Sequence, residues 1–437
     1  MVRSMRWLVR CLLAGALALG ATQLLAACDR GRMQRPTGSA TSAASGPGAS
    51  NPAPQPAKPA GPSARLTPAD LAYQGAIRLP DAFDWGARGL AFAPGDQGGS
   101  LLVLGHDQRP AEFARVSIPA PAKSRDLASL PRARMLDPMR NFDGSIVEGV
   151  NEVAPFASGI ELVPKRGSQK TDKLYGAIDN WYGVVDESHA TIWMSEPDGS
   201  SPRGPFHVGP RKAPFHGNRA GSFLFAVPAW YADAYLGGRT LVTGKARGAF
   251  GGSQGPSLFA FRPWDADEPT GNLDAVAMLY YRIRYPECAG PNVGDPKRCD
   301  FPGFTMCDEW EGASFLEHGA KRAIVIVGKK GLGPNHYGEP PRAGTCESDK
   351  GYHCDPYERQ VLLYDVDELG AAAQGKREPW TVLPYATWRP KELLVQGPTC
   401  GQVGGVAFDP ASRRLFVIEK GLGDNNSAAV HLWLVGR

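Results

Sequence analysis

Apolar positions recur along this chain in one repeating phrase from Ala87 to the C-terminus: a Gly opens a short apolar strand, and a second apolar run follows that ends in a charge or a His. The phrase occurs five times, with opening strands at Arg88 to Pro94, Ser158 to Pro164, Ala220 to Phe225, Glu311 to Leu316 and Gly404 to Pro410. The second runs are Leu101 to His106, Leu174 to Asp179, Leu241 to Lys245, Ile324 to Lys329 and Leu415 to Lys420. Near-continuous apolar runs of this length suit strands buried on both faces. A small residue at the start of the opening strand suits an innermost position, where a larger side chain would obstruct a neighbouring backbone.

Third strands follow at Phe113 to Ile118, Thr191 to Met194, Ser257 to Phe261, Gln360 to Val366 and Val430 to Val435, and fourth strands near Arg134, Phe206, Met278 and Trp380. The fifth repeat has no fourth strand of its own, whereas Tyr73 to Leu79 forms a strand with no repeat of its own. The pattern therefore predicts an all-β fold, a β-propeller of five blades closed by that N-terminal strand pairing into the last blade, which leaves no open sheet edge. A six-bladed ring and an open β-sandwich are the competing arrangements.

Ahead of the repeats, Arg3, Arg6 and Arg10 precede the apolar stretch Cys11 to Ala21, and the segment ends Leu25-Ala26-Ala27-Cys28. This has the parts of a secretory signal and is too short for a membrane span. Its last four residues resemble the bacterial lipobox. That resemblance implies cleavage before Cys28, a diacylglyceryl thioether on its sulfur and, usually, an acylated amino group, which together make a stable membrane anchor. From Pro36 to Ala64 the chain is nearly all Pro, Ala, Ser, Gly and Thr, too poor in apolar bulk to offset the entropy of ordering it. The expected organisation is a signal peptide over 1–27, a lipidated Cys28 with a flexible tether over 28–65, and a propeller over 66–437. The expected location is the cell envelope, facing the periplasm or the cell surface.

Losing residues 1–27 removes three Arg and no acid, which lowers the formal charge from +4 to +1 and leaves no global electrostatic case for nucleic-acid binding. Cysteine use fits an oxidising compartment: beyond Cys11 and Cys28, six cysteines remain, all toward the C-terminus. Their spacing favours Cys288 with Cys299 and Cys346 with Cys354, each pinning a long insertion, and Cys307 with Cys400, which precede the opening strands of adjacent blades. None of these pairs has the Cys-x-x-Cys spacing of a zinc site, so no metal is expected. Asp424-Asn425-Asn426 could offer oxygens to Ca²⁺, though such a triplet equally makes a turn. No other cofactor is indicated: Gly328-Lys329-Lys330-Gly331 lacks the Walker spacing, and no Gly-x-Ser-x-Gly elbow is present.

Repeat alignment supplies the candidate site. The second runs end in His106, Asp179, Lys245, Lys329 and Lys420, and equivalent positions of a propeller gather around one axis. Arg88 and Glu311, which precede the opening Gly in their repeats, face the same mouth. Several cations in a cleft attract carboxylate, phosphate or sulfate groups. Asp107, Gln108, Asn180, Trp181, Trp310 and His336 are expected around them, where ring faces and polar groups suit a glycan. The expected function is therefore binding of an anionic small molecule or polysaccharide at the mouth, with an envelope-protein scaffold as an alternative.

A catalytic alternative rests on a resemblance. The segment from Trp310 through Glu311-Gly312 to Phe315 resembles the Glu-bearing strand that supplies the general acid in five-bladed furanosidase-type glycoside hydrolases. The resemblance implies an acid at Glu311 and a second carboxylate, for which Asp107, Asp179 and Glu419 are available. It departs from that pattern at Arg88, where those enzymes carry an Asp base. The stretches Gly89 to Phe92, Gly105-His106-Asp107, Gly331 to Gly338, Gln360 to Leu369 with Pro379-Trp380, and Gly404 to Pro410 also resemble a group of exported bacterial proteins with propeller-like repeats. That resemblance implies architecture and carries no activity.

Overall fold

The computed structural model describes residues 63–96, 98–107, 109, 111–149, 155–180, 190–247, 252–284, 299–339, 350–394 and 402–436. The readings made for the signal, the lipidated Cys28 and the tether lie outside these residues. So do those for Gln108, Trp181, Cys288, Cys346 and Cys400.

In chain order the strands are β1 (Ala64–Arg65), β2 (Leu71–Arg78), β3 (Leu90–Ala93), β4 (Ser100–Leu104), β5 (Glu112–Val116), β6 (Arg140–Asn141), β7 (Pro155–Val163), β8 (Lys173–Asn180), β9 (Ile192–Ser195), β10 (Arg203–Phe206), β11 (Phe223–Ala226) and β12 (Leu241–Gly244). They continue with β13 (Leu258–Phe261), β14 (Ala275–Leu279), β15 (Glu309–His318), β16 (Lys321–Gly331), β17 (His336–Gly338), β18 (Gly351–His353), β19 (Tyr357–Tyr364), β20 (Ala386–Trp388), β21 (Gln402–Asp409), β22 (Arg414–Leu422) and β23 (Ser427–Val435). Helices α1 (Ile146–Gly149), α2 (Ala229–Tyr235) and α3 (Val366–Ala373) lie in the connections. Among the described residues no helix is long and apolar enough to cross a membrane.

Antiparallel pairing sorts the strands into five four-stranded blades: β3 to β6, β7 to β10, β11 to β14, β15-β16-β19-β20, and β21-β22-β23-β2. The innermost strands β3, β7, β11, β15 and β21 pack on one another in a closed cycle. The fold is a five-bladed β-propeller. Strand β2 supplies the outer strand of the last blade, pairing Leu71 with Val435 through Arg78 with Ala429, so the chain closes the ring from both ends. The short β1 runs parallel to the start of β16, which carries ordered pairing two residues ahead of the boundary expected at Leu66.

Alternation along each second strand divides its side chains between two inter-blade cores. On β4, Leu101 and Val103 face Phe416 and Ile418 of the fifth blade, while Leu102 and Leu104 face Ile160 and Ile178 of the second. The same division gives cores between blades two and three (Tyr175 with Phe259), three and four (Phe223 with Ile326) and four and five (Val325 with Val417). Each fully buried Leu, Ile, Val or Phe contributes about 1.5 to 3 kcal/mol, so these cores carry most of the ring's cohesion.

The opening glycines meet the steric demand read from the sequence. A Cβ on Gly405 would lie 2.4 Å from the Leu90 amide nitrogen of the next blade, and one on Gly312 would lie 2.8 Å from the Gly404 carbonyl oxygen.

Two fourth strands lie later in the chain than expected. In the first blade the strand is β6, with Ser117 and Met135 only bridged to it by isolated contacts along the way. In the fourth blade Asp365 stops β19 by capping α3, its carboxylate accepting from the amides of Asp367 and Glu368. Pro379 and Trp380 then form a short 3₁₀ turn, and pairing resumes at β20.

The expected cysteine pairings are corrected. Cys307 is bonded to Cys354, with Cα atoms 6.0 Å apart across 47 residues, in place of both Cys307 with Cys400 and Cys346 with Cys354. The reason is strand order. Cys307 precedes β15 and Cys354 precedes β19, the two neighbours of β16, and both Cβ atoms flank Gly331 at the end of that strand. Cys299 is also disulfide-bonded.

Candidate functional site

The ends of the second strands and the starts of the inner strands meet on one face of the disc, because the two run antiparallel: Glu309 pairs with Lys329, Gln402 with Lys420, Phe156 with Asp179 and Gly86 with His106. The long connections at 142–154, 207–222, 280–308, 332–356 and 389–401 join strand ends on this same face. The axial cavity below it is narrow. It is lined by the opening-strand backbones at Gly89, Gly159, Gly312 and Gly405 and has room for about one water molecule, so ligand chemistry belongs to the mouth.

At the mouth the charged residues form three ion-paired groups. Lys245 bonds Asp179, whose other oxygen accepts from Ser222 Oγ at 2.5 Å, and Ser222 Oγ in turn accepts from the Ala246 amide at 2.7 Å. Glu309 lies between Arg247 at 3.0 Å and Lys329 at 3.2 Å. Arg88 Nε donates to Asp107 Oδ2 at 2.8 Å, and its terminal nitrogen lies 3.6 Å from Glu311, whose second oxygen is 2.5 Å from Lys420 Nζ. The last contact is an ion pair whose approach falls outside hydrogen-bond angles. Arg88 also lies over the Phe156 ring at 4.7 Å, and Lys329 over Tyr357 at 4.9 Å.

Burial makes these pairings obligatory, since an isolated buried charge costs several kcal/mol. Burial would raise the Glu309 carboxyl, but Lys329, Arg247 and Arg88 outweigh it and hold the group down at about 2. Burial likewise opposes the Arg88 charge, yet Asp107, Glu311 and Glu309 hold the guanidinium above its ordinary value. The Lys420 ammonium is pushed below its ordinary range, first by burial and then by Arg88, against the pull of Glu311 and Asp107.

The structure thus gathers Arg88, His106, Asp107, Asp179, Lys245, Glu311, Lys329 and Lys420 at one end, as repeat alignment implied, but pairs each of the three lysines with a carboxylate. Across the three groups, five cations (Arg88, Lys245, Arg247, Lys329, Lys420) face four carboxylates (Asp107, Asp179, Glu309, Glu311). The excess cation lies in the Arg247–Glu309–Lys329 group, where Arg247 keeps 26% of its side chain exposed.

Trp310 does not reach the mouth. It is wholly buried, edge-on to Phe301 at 5.9 Å, because strand alternation turns it into the core once Glu309 and Glu311 face the opening. Glu419 is also turned away, buried against His431 at 2.8 Å and the Leu394 amide at 2.7 Å. Asn180 ends β8 at the mouth, and His336 sits on the β17–β18 hairpin carried by the connection from β16. Asp424-Asn425-Asn426 forms the turn between β22 and β23, with Asn426 left-handed at φ 48°. Among the described residues no group of three or more His, Cys, Asp or Glu side chains is arranged to hold a metal ion.

Sequence reasoning missed three residues here. Glu309 and Arg247 each stand two positions from a residue it named, Glu311 and Lys245, and period-two alternation could have found both. Trp85 is the third: its carbonyl accepts from the Asp107 amide at 2.9 Å, and its ring is 56% exposed beside the mouth.

No family model and no curated protein matches the chain. Among solved structures it is similar to Raptor from Chaetomium thermophilum, at 11% identity and a TM-score of 0.30 over 86% of this chain, which spans 30% of the Raptor chain. It is also similar to the holo form of the pyranose dehydrogenase PQQ domain from Coprinopsis cinerea, at 9% identity and a TM-score of 0.33, covering 85% of this chain and 98% of that one. Likeness this distant carries no argument about the site.

Proposed function

We propose that this chain is a lipid-anchored propeller of the cell envelope that binds an anionic or glycan ligand at the charged mouth of its ring. The observation that carries the reading is the cation excess at that mouth, concentrated where Arg247 stays partly exposed beside Lys329. A cleft with net positive charge and low-dielectric walls focuses field on an approaching anion. The long connections around that face supply further contact surface, and the signal-like N-terminus ending at Cys28 supports envelope anchoring. A hydrolase using Glu311 has less support, because both its carboxylate oxygens face cations, Arg88 and Lys420, instead of open space.

The test is binding of polygalacturonate, against an uncharged glucan, to the full-length chain over a range of salt. The reading expects binding of the acidic polymer that weakens as salt rises and falls further in Arg247→Gln. Equal binding by Arg247→Gln and wild type at every salt concentration would refute it.

A further inference from the structure

Trp85 stands out from its surroundings. An indole is usually largely buried, yet this one is 56% exposed, and its φ of 59° puts a bulky L-residue in the left-handed region. Ala87 is left-handed as well, at φ 62°. Between them Gly86 has no space for a side chain, since a Cβ there would lie 1.9 Å from the Gly105 carbonyl oxygen. The elbow is held from both blades that meet at the closure. The Trp85 amide donates to Asn426 O at 3.1 Å, the Asp107 amide donates to Trp85 O at 2.9 Å, and the Ala87 amide donates to Gly105 O at 3.2 Å. Backbone strain over-determined by its surroundings, with no packing gained by the side chain it presents, is a mark of a functional position.

We propose that Trp85 is the stacking platform of a saccharide subsite, taking the pyranose ring of an acidic glycan whose carboxylate points toward the Arg88 and Arg247 groups. This rests on the mouth-binding reading above and names its ligand. An indole face accepts the apolar C–H face of a sugar ring. Asp107 is joined to the Trp85 backbone, fixed by Arg88 and 28% exposed, and it places a hydroxyl acceptor at the edge of that face. A flat aromatic flanked by a carboxylate and backed by cations matches an acidic sugar better than an apolar peptide, which would need contiguous apolar surface.

The experiment compares oligogalacturonate binding by calorimetry for full-length wild type, Trp85→Gly, Trp85→Phe and Arg247→Gln. Glycine adopts φ 59° without penalty, so Trp85→Gly removes the ring while keeping the elbow, and its melting temperature should not fall. Expected is a loss of affinity of about tenfold or more in Trp85→Gly with most of it retained in Trp85→Phe. Unchanged affinity in Trp85→Gly, with weakened binding in Arg247→Gln, overturns the subsite and leaves the mouth reading standing. If wild type binds inorganic phosphate but no saccharide, the named ligand is wrong. If it binds neither, both readings fall.

Discussion

Replacing Glu309 by Gln removes one negative charge from between two cations without changing side-chain volume much, and the structure fixes what that should cost. Held at about 2 against an ordinary 4.5, the carboxylate contributes about 3 kcal/mol of stability at 1.36 kcal/mol per pH unit. Its folded-state value is depressed, so that contribution is complete above about pH 4.5 and is lost as pH falls toward 2. The substitution also leaves Lys329 and Arg247 with no carboxylate between them, a situation that costs about 3 to 5 kcal/mol when one partner of a buried pair is removed. Urea unfolding at pH 7 should therefore show Glu309→Gln less stable by about 3 kcal/mol, and the gap should narrow as wild type is taken from pH 5 to pH 2. A loss under about 1 kcal/mol at pH 7, or a gap that persists unchanged at pH 2, would refute the assignment of Glu309 as the counter-charge of this group.

Other expectations test the frame and the anchor. Gly405→Ala pushes a methyl to within 2.4 Å of the Leu90 amide, and thermal unfolding should show a loss of about 1 to 3 kcal/mol, whereas an unchanged melting temperature would mean the inner ring is looser than described. Reducing the Cys307–Cys354 bond, or replacing both cysteines by Ser, frees a 47-residue loop and should cost about 4 kcal/mol on the chain-entropy account, read from urea midpoints with and without reductant. Trp85→Gly should hold or raise the melting temperature, because it relieves a left-handed strain of about 1 to 2 kcal/mol and gives up little buried area. Cys28→Ser should move the protein from the membrane to the soluble fraction on cell fractionation, and continued membrane association would count against lipid anchoring.

Much of the fold was legible because the steric demands of a propeller are written locally. A residue such as Gly405 or Gly312 is needed wherever an inner strand lies against the next backbone, and runs such as Ile324 to Lys329 are apolar throughout because alternate side chains serve two different inter-blade cores. The closing strand was readable from counting, since Tyr73 to Leu79 had no blade and the last blade lacked a strand. The outer strands were harder: β6 and β20 are two and three residues long and carry weak alternation, and the Asp365 cap of α3 ended a strand that apolar content alone would have prolonged.

The site was legible as a gathering of residues and illegible as a set of contacts. Alignment placed Lys245, Lys329 and Lys420 at one mouth, but pairing with Asp179, Glu309 and Glu311 depends on which carboxylate of a neighbouring blade reaches across, and that is a tertiary fact. Trp310 was misplaced because the side chain that faces the core follows from the register around the bulge at Trp310 and Gly312. Trp85 escaped notice because its exposure is set by a left-handed φ imposed from two blades, and no property of the Asp84-Trp85-Gly86 triplet alone dictates it. The disulfide was missed for the same reason as the ion pairs: Cys307 and Cys354 meet across a strand, not along the sequence.

Hydrogen exchange of the full-length chain with and without oligogalacturonate addresses the central claim most directly, because it reports where a ligand rests. Binding at the mouth predicts slowed exchange in the segments carrying Trp85 to Arg88, Gly105 to Asp107, Lys245 to Arg247 and Glu309 to Glu311, with α2 and α3 on the opposite face unaffected. Protection confined to α2 and α3, or none at saturating ligand, would contradict it.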